Sequence, residues 1–291
     1  LSGKALPIPQ LLPELTLIGI QHPEDLRSRW LGDKAFLTPL LKLYDVPMNS
    51  DYFPYVDQHA AKARFAGGTA NDILFPATGY LPIRNMLAKR ELSHTATNIS
   101  HSPFTTNIVE NAYEATYLYA RLTNTQLPQT SNFAAIRHRL PAADTAIAEC
   151  RKPPAHGDKV YLMYKIAVTL LPHLNPEELS RAWPAIEAMA CGQQLNSYEA
   201  RWLALFKAIG RRDAQEMQQL SQQLLSQAQY LTTTRGKYLL GVAMLGLIAE
   251  QKYQKAEQLW QQQQPLWFAN EEPGMQFKYL LALTTQYNAS Q

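Results

Sequence analysis

The sequence has only two cysteines, little charge and no hydrophobic run long enough to cross a bilayer. Cys150 and Cys191 lie far apart, so they form neither a CxxC pair nor a metal-ligand spacing. Charged residues make up 18% of the chain and the net charge is +3, far from the basic footprint of nucleic-acid-binding proteins. The apolar stretch at residues 239–249 is too short to span a membrane. These scarcities weigh against disulfide-rich, nucleic-acid-binding and membrane-spanning classes.

The composition indicates a packed globular protein, because 46% of the residues are hydrophobic. Cys191 lies among small residues, which favours a buried thiol. A disulfide with Cys150 stays open as an alternative. Two separated cysteines are compatible with a reducing compartment, so we expect a cytoplasmic location. The chain starts at Leu1 and not at Met, and we therefore expect further sequence upstream.

The first 48 residues have a mixed pattern. Residues 15–20 form a short apolar run that ends at a turn signal, which is typical of a buried strand. A lone strand is not stable, so this one must pair within the chain or with a sheet upstream. Asp33 can cap a helix that runs to Tyr44 and that Pro39 would kink or divide.

Residues 49–57 connect this mixed part to the rest of the chain. The stretch begins with turn-forming residues, and its aromatic rings need a surface to pack against. We predict an ordered connector, with a surface loop as the alternative. This hinge motif, with an arginine that follows it, consists of Asn49, Ser50, Asp51, Tyr52, Pro54, Asp57 and Arg64.

The order of strand, helix-forming residues and hinge motif resembles the end of the synthase-like domain in fused spermidine-synthase-like proteins. The residues that match the family pattern, N-[ST]-D-x-x-P and a following arginine, are Asn49, Ser50, Asp51, Pro54 and Arg64. Tyr52 and Ala61 depart from that pattern, and the resemblance covers about residues 10–66. It implies that aminopropyl-transfer chemistry lies upstream of Leu1, in a parent polypeptide that membrane helices could tether.

Helical periodicity is steady from Pro103 onward. The predicted helices span residues 107–122, 131–150, 158–171, 176–190, 197–209, 213–228, 233–250, 253–263 and 272–287, with Pro265 as a stop signal. Ala214 and Ala256 occupy equivalent early places in the second helices of two pairs, where a small residue allows close approach. Trp260 follows one turn after Ala256 and suits a large residue under the next pair. The pattern resembles degenerate tetratricopeptide-type pairs.

We therefore predict a mainly α fold of stacked antiparallel helix pairs, a TPR-like α-solenoid, with a small irregular N-terminal segment that contains one short strand. The predicted boundaries are a segment at residues 1–66 that resembles the end of a spermidine-synthase-like domain, a connection at 67–103 and a helical-repeat domain at 104–291.

The sequence predicts no catalytic residue, cofactor or metal site. GxSxG and HExxH motifs are absent. Gly67-Gly68 follows no credible strand, and His94 and His101 have poor metal spacing. Tyr113 and Tyr117, one helical turn apart, line a groove or pack in the core, and Trp260 is a further candidate for an interaction surface. We do not expect the chain itself to be an enzyme, although a site between its halves stays open.

Two functional hypotheses follow. The first is a non-catalytic C-terminal region of a spermidine-synthase-like protein that acts in protein–protein or inter-domain association. The alternative is a free-standing helical-repeat adaptor unrelated to polyamine synthesis. The expected partner is a protein or the upstream domain of the same polypeptide, with no nucleic acid and no membrane insertion, and a homo-oligomer is open. The glutamine-rich stretches at 215–229 and 261–264 are either solvated surface or a peptide-binding groove.

Overall fold

The computed structural model describes residues 13–14, 34–43, 81–87, 107–127, 136–269 and 271–288. Its helices, in chain order, are α1 Lys34–Lys42, α2 Ile83–Leu87, α3 Asn107–Thr123, α4 Leu140–Arg151, α5 Lys159–Leu170, α6 Pro176–Ala188, α7 Ser197–Gly210, α8 Ala214–Leu225, α9 Thr233–Ala249, α10 Tyr253–Trp267 and α11 Met275–Asn288. Short 3₁₀ turns lie at Ala190–Gly192 and Ala228–Tyr230. The described residues contain no strand, which confirms a mainly helical fold, and the strand predicted at 15–20 lies outside them.

Asparagine side chains cap the starts of two consecutive helices, α6 and α7. The Asn175 side chain accepts a hydrogen bond from the backbone N–H of Glu178 at 2.8 Å, and the Glu178 carboxylate accepts one from the Asn175 N–H at 3.0 Å. Asn196 and Glu199 form the same reciprocal pair at the start of α7. Each pair satisfies two backbone donors that a helix end leaves without intrahelical partners.

Two predicted boundaries are wrong. The helix predicted at 131–150 begins only at Leu140, because residues 136–139 form a turn and Pro141 then occupies the first turn of α4. Pro265 does not stop α10, which continues to Trp267. Trp267 is buried and its indole N–H donates to Gln263 at 3.0 Å, and this burial offsets the hydrogen bond that proline removes.

Two compact units divide the chain. Unit 1 contains residues 1–30 and 90–212, and unit 2 contains residues 31–89 and 213–291. In unit 1, α5 is the central helix and contacts α3, α4, α7 and the Ala190–Gly192 turn. Its buried residues include Met163, Ile166 and Leu170. This helix is apolar over much of its surface because neighbours cover it on several sides.

In unit 2, α9 takes the central place and contacts α8, α10, α11 and α2. Every residue from Tyr238 to Ile248 is buried, so the helix is covered all round. Consecutive helices also contact one another, α8 with α9, α9 with α10 and α10 with α11. This nearest-neighbour packing is the helical-repeat-like arrangement that the periodicity predicted. Within the described residues, no helix combines the length and apolarity needed to cross a bilayer.

Helices α8 and α9 lie close together where Gly246 faces Ala214, the first residue of α8. A Cβ atom at Gly246 would lie 2.7 Å from the backbone oxygen of Ala214, closer than real Cβ atoms come. Ala256, the equivalent small residue of α10, is fully buried. A small residue therefore lies at the contact of α8 with α9, and another small residue is buried in α10.

Candidate functional site

A polar seam joins α3 to α4 in unit 1. The Tyr117 hydroxyl donates to the Asp144 carboxylate at 2.8 Å, and the Arg121 Nε donates to the same carboxylate at 3.2 Å. Burial raises the pKa of Tyr117, and the hydrogen bond to Asp144 raises it further. Tyr113, one turn earlier, is only 1% exposed and belongs to the core. Tyr117 is half-buried and bridges two helices of the same unit.

A second seam brings Arg139 to α3. Its Nη1 donates to Asn111 Oδ1 at 2.5 Å and lies 3.6 Å from the Glu114 carboxylate. Burial raises the pKa of Glu114, although the positive charge of Arg139 opposes that shift. Arg139 thus balances the charge of a carboxylate that folding partly removes from water, and the pair joins the turn before α4 to α3.

Another polar contact of unit 1 joins Lys165 of α5 to α4. Its ammonium donates to Glu149 of α4 at 2.7 Å and lies 5.0 Å from the centroid of the Tyr161 ring. The hydrogen bond to Glu149 raises the pKa of Lys165. Tyr161 is 50% exposed, so this side of α5 reaches the surface of the unit.

We expect the neighbouring Tyr164 to lower the stability of unit 1 at alkaline pH. Burial raises the pKa of Tyr164 above its ordinary value of 10.0, because the fold favours the neutral phenol. The stabilisation is therefore complete below the unfolded-state pKa and is lost as pH rises through the higher folded-state value. We expect Tyr164→Phe to lose less free energy of unfolding than the wild type between pH 9 and pH 11 (roughly the window of tyrosine ionisation).

Urea unfolding at several pH values measures this difference. Lys165 is present in both proteins, so its own deprotonation cancels in the comparison. Parallel pH profiles for the wild type and Tyr164→Phe would show that Tyr164 contributes nothing to alkaline unfolding.

A cavity of about 350 Å³ lies in unit 1 beside the ends of α3, α4 and α6. Its lining residues are Leu122, Arg151, Ala185, Ala188, Met189 and Ala190. The volume is at the small end of ligand pockets. Arg151 is the sole ionisable side chain among these lining residues, so they supply no pair of groups for acid–base catalysis.

Cys150 and Cys191 form a disulfide. Each cysteine neighbours a lining residue, Arg151 in one case and Ala190 in the other. Cys191 is buried, as expected, but its sulfur is bonded to Cys150, so the expected free thiol is wrong. Both α4 and the Ala190–Gly192 turn contact α5, and this shared packing brings the two cysteines together. Sequence spacing alone contains no signal for such a meeting.

Trp260 forms an aromatic cluster in unit 2. Its ring centroid lies 5.3 Å from that of Phe268 and 5.5 Å from that of Phe277 on α11. The Lys237 ammonium lies 4.7 Å from the centroid of Phe268, and Lys237 also pairs with Glu271. Trp260 is half-buried, so it joins α10 to α11 and leaves part of its ring at the surface.

The exposed sides of α8 and α10 are composed largely of glutamine. We call them the glutamine faces, and their residues are Gln215, Gln219, Gln222 and Gln223 on α8 and Gln254, Gln258, Gln261 and Gln262 on α10. On α8 these are all of the exposed residues. On α10, Lys255, Pro265 and Leu266 are the other exposed ones, and Leu266 is 61% exposed.

The hinge motif and the glycine pair at 67–68 lie outside the described residues, as do His94 and His101. Across the part of the chain that the structure describes, no three His, Cys, Asp or Glu residues gather into a metal-binding group. The polar side chains in the seams above bridge helices. The glutamine faces overlap the stretches that the sequence assigned to solvated surface or to a peptide-binding groove, and their glutamines are exposed.

Comparison with known proteins identifies no relative. No family model matches the chain, and neither the curated proteins nor the solved structures contain a match.

Proposed function

We propose that this chain is a non-catalytic helical-repeat region that acts in protein–protein or inter-domain association, and that its parent polypeptide is spermidine-synthase-like. The observation that carries the association is the composition of the glutamine faces. Surfaces designed for solubility carry about 25–35% charged residues, whereas the four exposed residues of α8 carry no charge. Charge depletion is characteristic of the central part of protein interfaces.

Glutamine side chains suit contact with another polypeptide. Each amide both donates and accepts hydrogen bonds, so it can pair with peptide groups or with other amides. Its desolvation costs less than that of a carboxylate or an ammonium group. Leu266 adds an exposed apolar contact at the end of α10. Helices α8 and α10, which carry these side chains, both pack against α9, so α9 holds them in place.

The spermidine-synthase-like parent is supported by the hinge motif and its flanking residues alone. In this proposal the partner is the upstream domain of the same polypeptide, and a homo-oligomer is a second form of the same association. The free-standing adaptor differs in predicting a separate protein as the partner. The cytoplasmic location expected from the sequence is not part of this proposal, because the buried Cys150–Cys191 disulfide is typical of an oxidising compartment.

Cross-linking of the protein isolated from its own cells tests the association. Lys255 is exposed on the glutamine face of α10, so a lysine-reactive reagent reports what lies next to that face. We expect Lys255 to cross-link to sequence upstream of Leu1, whereas the adaptor predicts links to a different polypeptide. Links from Lys255 only to lysines of unit 2 would contradict both forms of the proposal.

Calorimetry tests the non-catalytic part. We expect no heat of binding when putrescine or decarboxylated S-adenosylmethionine is titrated into this chain, and saturable binding to a parent that contains the upstream domain. Saturable binding to the chain alone would place a substrate site within these residues and contradict the proposal.

A further inference from the structure

The Cys150–Cys191 disulfide uses every cysteine of the chain. Cys150 lies in the last turn of α4 and Cys191 in the Ala190–Gly192 turn, at a sequence separation of 41. Their Cα atoms are 4.9 Å apart, within the range of about 4.4–6.8 Å that a disulfide requires. No free thiol remains, as is typical of proteins whose cysteines are paired during folding.

Burial makes this bond a permanent crosslink. Both cysteines are 0% exposed, and α4, α5 and the Ala190–Gly192 turn contact one another around them. Reduction requires a thiolate to reach one of the two sulfur atoms, and the folded unit keeps it away. A disulfide that acts as a redox switch must instead be accessible to the surrounding thiols.

The same burial dictates when the bond forms. An oxidising partner cannot reach the two sulfur atoms after α5 has packed against the two segments that carry them. The bond must therefore form during folding, before α5 has packed and while an oxidising partner can still reach both cysteines.

We propose that Cys150 and Cys191 are the substrate pair of a disulfide-donating thiol oxidoreductase, and that the chain folds in an oxidising compartment. The thiolate of one cysteine attacks the oxidoreductase disulfide, forms a mixed disulfide and releases one oxidoreductase thiolate. The thiolate of the other cysteine then attacks the mixed disulfide and releases the second. Two electrons pass to the oxidoreductase, which leaves as a dithiol, and the two cysteine protons pass to solvent or to the released thiolates.

This proposal is independent of the partner proposed for the glutamine faces. Reducing compartments keep thiols unpaired, and two buried cysteines can also pack there as small apolar residues. The redox state of Cys150 and Cys191 in the cell therefore distinguishes a disulfide formed in an oxidising compartment from two buried free thiols in a reducing one.

Differential thiol labelling of the protein from its own cells provides the test. The cells are denatured in the presence of N-ethylmaleimide, which blocks free thiols, and the protein is then reduced and labelled with an isotopically heavier maleimide. We expect the heavy label at both cysteines in about tenfold excess over the light label. Light label at both positions would overturn the proposal. The Cys150→Ala/Cys191→Ala variant controls for labelling at other side chains.

A second arm tests the burial argument on the purified protein. Dithiothreitol should leave the bond intact in the folded protein and reduce it in denaturant, as the same two labels report. Equal reduction with and without denaturant would overturn the permanent crosslink.

Discussion

Replacing Cys150 and Cys191 together by alanine lowers the free energy of unfolding of unit 1 by about 4 kcal/mol. The crosslink closes a segment with a sequence separation of 41, and its loss returns that conformational freedom to the unfolded chain. Because α5 lies within the closed segment and contacts most helices of unit 1, the loss affects the centre of the unit. Proteins of ordinary stability have only about 5–15 kcal/mol in total, so this change is large.

Hydrogen exchange at the amides of α5 measures the loss where it is expected. Wild-type protein that has been reduced in denaturant and refolded without oxidant is the matched control, because it lacks the bond but keeps both sulfur atoms. The difference between that control and the alanine variant gives the contribution of side-chain packing. A loss below about 1 kcal/mol in both would mean that the crosslink does not stabilise unit 1.

Replacing Gly246 by leucine destabilises unit 2 by roughly 3 kcal/mol, the upper end of typical overpacking costs. Even a Cβ atom there would lie 2.7 Å from the Ala214 backbone oxygen, and a backbone atom cannot rotate away as a side chain does. Helices α8 and α9 must therefore separate or shift. The favourable helix propensity of leucine relative to glycine, about 1 kcal/mol, reduces the loss only in part.

Two matched substitutions isolate the cause in urea unfolding. Gly241→Ala lies in the same helix, but its nearest neighbour is the Cδ1 end of the Leu81 side chain, which can move. Gly274→Leu introduces the same side chain where no atom lies within 4 Å. We expect both controls to stay within about 1 kcal/mol of the wild type. If Gly246→Leu behaved like Gly274→Leu, the close approach of α8 and α9 would be wrong.

The helices could be predicted because their signals are local. Apolar spacing gives the periodicity, and Asn175 before Pro176 and Glu178 marks a start that depends on three or four residues only. Pro265 misled the prediction, because the burial of Trp267 depends on Gly236 in another helix. Boundaries that tertiary packing decides are hidden from local patterns.

The candidate site could be predicted only in part. The glutamine stretches are visible as composition, and Trp260 is visible as a large residue one turn after Ala256. The disulfide was not, because it depends on how α5 packs against two segments that are distant in sequence. The polar seam of Tyr117 was equally hidden, since its partner Asp144 lies on the next helix.

Affinity for the partner cross-linked to Lys255 tests the association most directly. Gln258→Glu with Gln262→Glu places two negative charges one turn apart on the glutamine face of α10, where both residues are exposed and helix propensity hardly changes. Gln126→Glu with Gln194→Glu adds the same charge at exposed positions of unit 1. The account predicts at least about a tenfold loss of affinity for the first variant, because its charges must be desolvated, and a change below about twofold for the second. Equal affinity of both variants and the wild type would contradict the claim that the glutamine face of α10 binds the partner.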